Sequence, residues 1–198
     1  MASTHQGVPI PVPAGTFLRR AQYVLFFVGL LALTYVGVVL VERQIYQANQ
    51  ARQLEHASAL DLRTPLPVGV VIGQVKIPRI GLQAVVVQGD SEKILKLAVG
   101  HIPGTPLPGQ PGNMVLAGHR DSFFRPLRNI RTGDIILLER PNGSYDYQVE
   151  STSIVAPTDL SVLQNSGNDE LTLITCYPFS WLGSAPDRFI VRARQIDF

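Results

Sequence analysis

Leu171-Thr172-Leu173-Ile174-Thr175-Cys176 holds the only cysteine of the 198-residue chain, at the end of a short β-prone run. Successive side chains of a strand point to opposite faces. Leu171, Leu173 and Thr175 therefore share one face, and Thr172, Ile174 and Cys176 share the other. With the leucines in a core, Cys176 stands outside it, and Tyr177-Pro178 stops the strand just beyond. A thiol displayed in this way suits a nucleophile, although a free cysteine is more commonly a small buried hydrophobe.

Working outward, Arg188 to Ile196 alternates in the same manner. Phe189, Val191 and Ala193 form an apolar face, and Arg188, Ile190, Arg192 and Arg194 form the other. Arg188 thus belongs, like Cys176, to the non-core face of its strand. A guanidinium there can donate hydrogen bonds to a developing oxyanion or a substrate carbonyl, the alternative being a plain solvated arginine, as which Arg192 and Arg194 read. A cysteine nucleophile also needs a cationic neighbour to favour the thiolate, and an acid for the leaving group. Of the four histidines, His5 lies in the N-terminal tail, His56 in a helical stretch and His101 in a Pro/Gly-rich loop. His119 follows the strand Met114–Ala117 and Gly118, a placement that parallels Cys176 at its own strand end.

Between residues 70 and 198, short β-branched runs are separated by turn signals. They cover Gly73–Ile77, Leu82–Val87, Met114–Ala117, Ile135–Leu138, Tyr145–Glu150, Leu171–Cys176 and Arg188–Ile196. Ser91 to Val99 reads as a short helix with Ser91 as N-cap and Gly100 after its end. His101 to Gly112 reads as a loop, and Asp121 to Asn129 as a helical turn. Closely spaced strands with few helices predict a mainly β fold, a sandwich or a barrel. The single cysteine excludes an intrachain disulfide, and no Cys/His metal spacing, Gly-rich phosphate loop or internal repeat is present. Residues 70–198 hold twelve Lys/Arg against twelve Asp/Glu, so the net +2 of the chain comes from its first 69 residues, with five basic and three acidic. That balance speaks against a nucleic-acid binder.

The N-terminal third has a different character. Residues 1–20 read as a polar cytoplasmic tail ending in Arg19-Arg20, with residues 1–16 disordered. Residues 21–41 follow as a transmembrane signal anchor, whose uncharged run Tyr23–Val41 is 19 residues long and able to span a bilayer. Arg19-Arg20 favour the N-terminus inside and the remaining chain outside. Residues 42–68 form a stalk and linker. Glu42 to Leu62 is rich in good helix formers, with a weak apolar stripe of Ile45, Ala48, Leu54 and Ala57, and the Thr64-Pro65 break ends it. Residues 69–198 form the main domain.

At these residues the chain resembles the sortases, the membrane-anchored cysteine transpeptidases of bacterial surfaces. The family's T-L-x-T-C motif stands as Thr172-Leu173-Ile174-Thr175-Cys176. Its histidine matches His119 in Leu116-Ala117-Gly118-His119-Arg120, and its arginine matches Arg188 in Asp187-Arg188-Phe189-Ile190-Val191. His101-Ile102-Pro103-Gly104-Thr105 and Pro108-Gly109-Gln110-Pro111-Gly112-Asn113 are similar to the family's approach to the histidine strand. Among classes the chain is most similar to class D, with an N-terminal anchor and Arg120-Asp121-Ser122-Phe123-Phe124 after the histidine. The resemblance implies a closed eight-stranded β-barrel with short helices. It implies cleavage of a Leu-Pro-x-Thr-like sorting signal through a thioacyl-enzyme on Cys176, and transfer of the secreted protein to an amine such as that of a cell-wall peptide. His119 is then the acid and base, Arg188 holds the substrate backbone and the oxyanion, and Ala117, Thr172 and Ile174 line the sorting-signal groove. No metal is expected, since no acidic cluster for a calcium site is evident. The implied location is the cell membrane, single-pass, with the catalytic domain extracytoplasmic. The same three residues would serve a cysteine hydrolase or endopeptidase with water in place of the amine. From another class, a membrane-tethered β-domain without chemistry would merely bury Cys176.

Overall fold

Hydrophobic patterning of two kinds divides the chain. The computed structural model describes residues 14–56, 66–141, 143–165, 167–180 and 183–196. Two compact units result, Met1–Glu42 and Arg43–Phe198. Helix α1 (Ala14–His56) supplies the described part of the first and continues into the second. In the first unit the helix is apolar on every side, with Leu25, Leu31, Leu33 and Tyr35 all exposed. A helix hydrophobic all round needs an apolar surrounding, and by length and composition Leu18–Gln50 is a candidate membrane span. The uncharged run of 19 residues is about 28 Å long as helix, close to the thickness of a bilayer's hydrocarbon core. The tail through Pro13 and the Thr64-Pro65 break lie outside the described residues.

In the second unit β-branched and apolar residues alternate and the strands close on themselves. They are β1 (Val71–Ile77), β2 (Leu82–Gln88), β3 (Val99–His101), β4 (Asn113–Ala117), β5 (Ile135–Arg140), β6 (Gly143–Val155), β7 (Glu170–Tyr177) and β8 (Asp187–Ile196). Their order around the closed barrel is β1-β2-β3-β4-β7-β8-β6-β5, the eight-stranded architecture that the resemblance implies. Only β2–β3 and β4–β7 are parallel; the other pairs are antiparallel. Following those directions round the barrel, the C-terminal ends of β1, β4 and β7 and the N-terminal end of β8 leave at one rim.

The barrel interior takes the faces that period-two reading assigns to the core. Leu171, Leu173, Val191 and Ala193 are buried there with Ile72, Val75, Leu116, Ile136 and Leu138. Each of the Val, Leu and Ile side chains contributes about 1.5–3 kcal/mol by leaving water. Phe124 and Leu127, just after the histidine, complete the same cluster from the 3₁₀ turn Arg125–Asn129 and its cap.

Two local readings change. The expected helix over Ser91–Val99 is helix α2 (Glu92–Leu97), and Val99–His101 is instead strand β3, paired with β2 and β4. Gly100 therefore sits within a strand, not beyond a helix end. A Cβ there would collide with the Gly89 carbonyl oxygen, so only glycine permits the close approach. His101 is correspondingly buried, not in a loop. Its Nδ1 lies 2.7 Å from Gln88 Oε1, and its Nε2 lies 2.9 Å from Pro106 O and 3.0 Å from Thr105 Oγ1.

The helix beyond Glu42 is also more than a spacer. Arg43, Tyr46, Gln47 and Gln50 are half-buried at i, i+3, i+4 and i+7, one face of a helix. Ile45 and Ala48, from the weak apolar stripe, are exposed.

Candidate active site

The parallel pair β4–β7 brings the histidine strand to the cysteine strand, with Ala117 opposite Ile174. The ladder runs one residue further. Gly118 N–H donates to Ile174 O (3.1 Å), and the Thr175 hydroxyl donates to Gly118 O (2.7 Å). His119 is the next residue, so two hydrogen bonds fix its backbone beside the end of β7. Gly118 must be glycine for packing reasons: a Cβ there would lie 2.8–3.0 Å from three ring atoms of the fully buried Phe124. After the histidine the chain folds back at once, Ser122 N–H and Phe124 N–H both donating to His119 O.

On the other flank of β7, β8 runs antiparallel with Cys176 directly opposite Arg188. Directly opposed residues project to one face with Cβ atoms about 4.5–5.5 Å apart. The cysteine is half-buried and free, and Arg188 is half-buried as well. Arg188 Nη1 donates to Asp187 O (3.0 Å) and Ala185 O (3.5 Å). A guanidinium has five donors, so these backbone contacts do not exhaust it. Tyr177, Phe179 and Phe189 pack against one another at this strand end, with centroids 5.3–6.2 Å apart. The cluster stiffens the segment that follows the cysteine. Arg120 Nη2 donates to Gly183 O (2.8 Å), tying the histidine turn to the β7–β8 connection.

His119 is about one-third exposed, and its Nε2 lies 3.9 Å from Glu92 Oε2 on α2. That separation is longer than a hydrogen bond. Glu92 was not legible as a site residue, because it precedes His119 by 27 positions in a segment with no motif of its own.

The three groove residues separate. Ala117 and Ile174 are partly exposed near the rim. Thr172 is wholly buried, its hydroxyl donating to Asn113 Oδ1 (2.7 Å), while Asn113 Nδ2 donates to Val162 O and Gln164 O. The connection from β6 to β7 covers that part of the outer face, so Thr172 offers no hydroxyl to a peptide.

A thiol, an arginine across the ladder and a histidine at the same rim stand together as candidates at one end of a closed β-barrel. Residues 75–196 match the family model described as Sortase domain, over more than half of the chain. The chain belongs to the sortase family. It is 35% identical over 129 residues to sortase D of Bacillus subtilis (strain 168), a match covering 65% of this chain and 65% of that protein, a little under two thirds of the relative's length. A sortase D5 transpeptidase structure from Clostridium perfringens shares the fold at a TM-score of 0.68, covering 78% of this chain and 98% of that one at 24% identity. Sortase C from Clostridium perfringens SM101 superposes with a TM-score of 0.61 at 27% identity, covering 82% of this chain and 90% of that one.

Proposed function

We propose that the protein is a membrane-anchored cysteine transpeptidase that cleaves a Leu-Pro-x-Thr-like sorting signal and transfers the protein bearing it to an amine, attaching it to the cell surface. The observation that carries this reading is the pairing of Cys176 with Arg188 across β7–β8, next to the end of β4 that presents His119. In the first half-reaction the Cys176 thiolate adds to the carbonyl carbon of Thr. The C–N bond breaks, and His119 gives its proton to the departing amine. In the second half an incoming amine, such as that of a cell-wall peptide, loses a proton to His119 as its nitrogen forms the new amide bond. The C–S bond breaks and the thiolate returns. Arg188 donates hydrogen bonds to the oxygen that becomes negative in both tetrahedral states. Ala117 and Ile174 border the peptide groove. Membrane attachment is through residues 21–41, single-pass, with the catalytic unit outside the cytoplasm.

The test is to incubate the full chain in detergent with a library of Leu-Pro-x-Thr-Gly peptides, with and without triglycine. A Cys176-linked acyl adduct by mass spectrometry and a triglycine-linked product are the expected outcomes. Hydrolysis alone, undiminished by triglycine, would make the protein an endopeptidase. Protease added to intact spheroplasts should digest the barrel; protection until the membrane is opened would reverse the orientation.

A further inference from the structure

Two elements flank His119, and both are held from the same side. The first is the turn that starts at the histidine and contains Asp121 and Phe123, closed by the two bonds to His119 O. The second is α2, whose Glu92 faces the ring at 3.9 Å. Arg43 of α1 places its guanidinium carbon 4.1 Å from the centroid of the Phe123 ring, and Asp121 attracts it electrostatically. Gln47, one turn further, donates from Nε2 to Leu97 O, the last residue of α2 (2.5 Å), and accepts from Val85 N–H of β2 at Oε1 (2.8 Å). Tyr46 packs against the small cluster of Val85, Val87 and Ala98. A helix docked only for stability would present an apolar stripe. Here three of the four half-buried side chains are polar, and two of them hold the flanks of the histidine.

We propose that Arg43 and Gln47 are positioning residues for His119, Arg43 holding the turn that begins at the histidine and Gln47 holding the short helix that presents Glu92 to it. The inference rests on the reading of His119 as the acid and base of the reaction. Small displacements of a catalytic group lower the rate without weakening substrate binding. Loss of a cation–π contact of ordinary strength corresponds to about a three- to thirty-fold change.

The test measures kcat and KM of the full chain in detergent, with the best-cleaved Leu-Pro-x-Thr-Gly peptide and triglycine. Arg43→Ala and Gln47→Glu should each lower kcat by about three- to thirty-fold while KM moves less than about two-fold. Gln47→Glu keeps the acceptor for Val85 and loses the donor to Leu97, so it isolates α2 and keeps the bond to β2. Arg43→Lys should recover most of the rate, because an ammonium also sits over a ring. Adding Arg43→Ala to Phe123→Leu should bring no further loss. Val149→Ala, in the core on β6, is the control: it should lower the melting temperature and leave kcat at 25 °C intact. Wild-type kcat in Arg43→Ala and Gln47→Glu, with His119→Ala inactive, overturns this proposal and leaves the site reading standing. A loss in Val149→Ala that matches theirs for the same melting shift also overturns it, since stability alone would then explain the effect. An active His119→Ala removes the site reading itself, and this proposal with it.

Discussion

Replacing Gly118 with alanine tests how tightly the histidine is held. The added methyl would meet the Phe124 ring at 2.8, 2.9 and 3.0 Å, closer than real Cβ contacts come. Phe124 has no room to retreat: it is fully buried in the cluster that closes the barrel, and its N–H is bonded to His119 O. Nor can Gly118 move freely, since its N–H and its carbonyl are both engaged by β7. Overpacking of this kind costs about 1–3 kcal/mol. For a unit of this size that lowers the melting temperature by about 3–9 °C. The displaced segment leads directly into His119, so kcat should fall as well, by about tenfold or more. Thermal unfolding and steady-state kinetics on the same preparations measure both. Phe124→Leu in the Gly118→Ala background should relieve the clash, giving a coupling energy above about 1 kcal/mol in a double-mutant cycle. A Gly118→Ala protein with unchanged stability and unchanged kcat would refute the reasoning.

Further outcomes follow from other contacts. Cys176→Ser should abolish turnover, because a hydroxyl lacks the accessible anion of a thiol. Arg188→Lys should lower kcat by about 10²–10³-fold, since it keeps the charge and loses the planar fork; a near-neutral effect in the same assay would reduce Arg188 to a nearby charge. Thr172→Val should destabilise the fold by about 1–3 kcal/mol, because it strands the Asn113 side-chain oxygen Oδ1 in a buried site; denaturant titration measures it, and KM for the peptide should stay unchanged. Burial among Gln88, Thr105 and Pro106 holds the His101 pKa below its ordinary value. Above pH of about 6.5 the ring is neutral in both folded and unfolded chains, and its contribution is complete. As pH falls below that, the unfolded chain takes up a proton that the folded one refuses, so stability is lost by at most about 1.4 kcal/mol per pH unit until the folded pKa is passed. Urea midpoints for the parent should therefore drop more steeply between about pH 6.5 and 5 than those for His101→Gln; parallel curves would assign the acid sensitivity elsewhere.

Much of this arrangement was legible because β7 sits between two long ladders. Period two alone put Leu171 and Leu173 inside, put Cys176 outside, and gave Arg188 the same facing on β8. What the pleat cannot tell is what lies over the outer face. Thr172 shares its facing with Cys176, yet the β6–β7 connection buries it and Asn113 takes its hydroxyl. Strand β3 escaped because three residues are too few for periodicity, and because His101 stands before a Pro/Gly-rich segment that reads as loop. The docking face of the helix escaped for the opposite reason. Its spacing is regular, but Arg43, Gln47 and Gln50 are polar, and a search for apolar stripes passes over them.

The parallel neighbours β4 and β7 have a consequence for how the chain becomes reactive. Ala117 and Ile174 meet although they stand 57 positions apart in the sequence, and β1 meets β5 across a similar span to seal the cylinder. Contacts this distant along the chain form only after the entropy of closing long loops has been met, so they come late in folding. Until then nothing holds the strand that leads to His119 against the strand that carries Cys176. On the proposed function, a newly made chain therefore carries no assembled site until its last strands have locked.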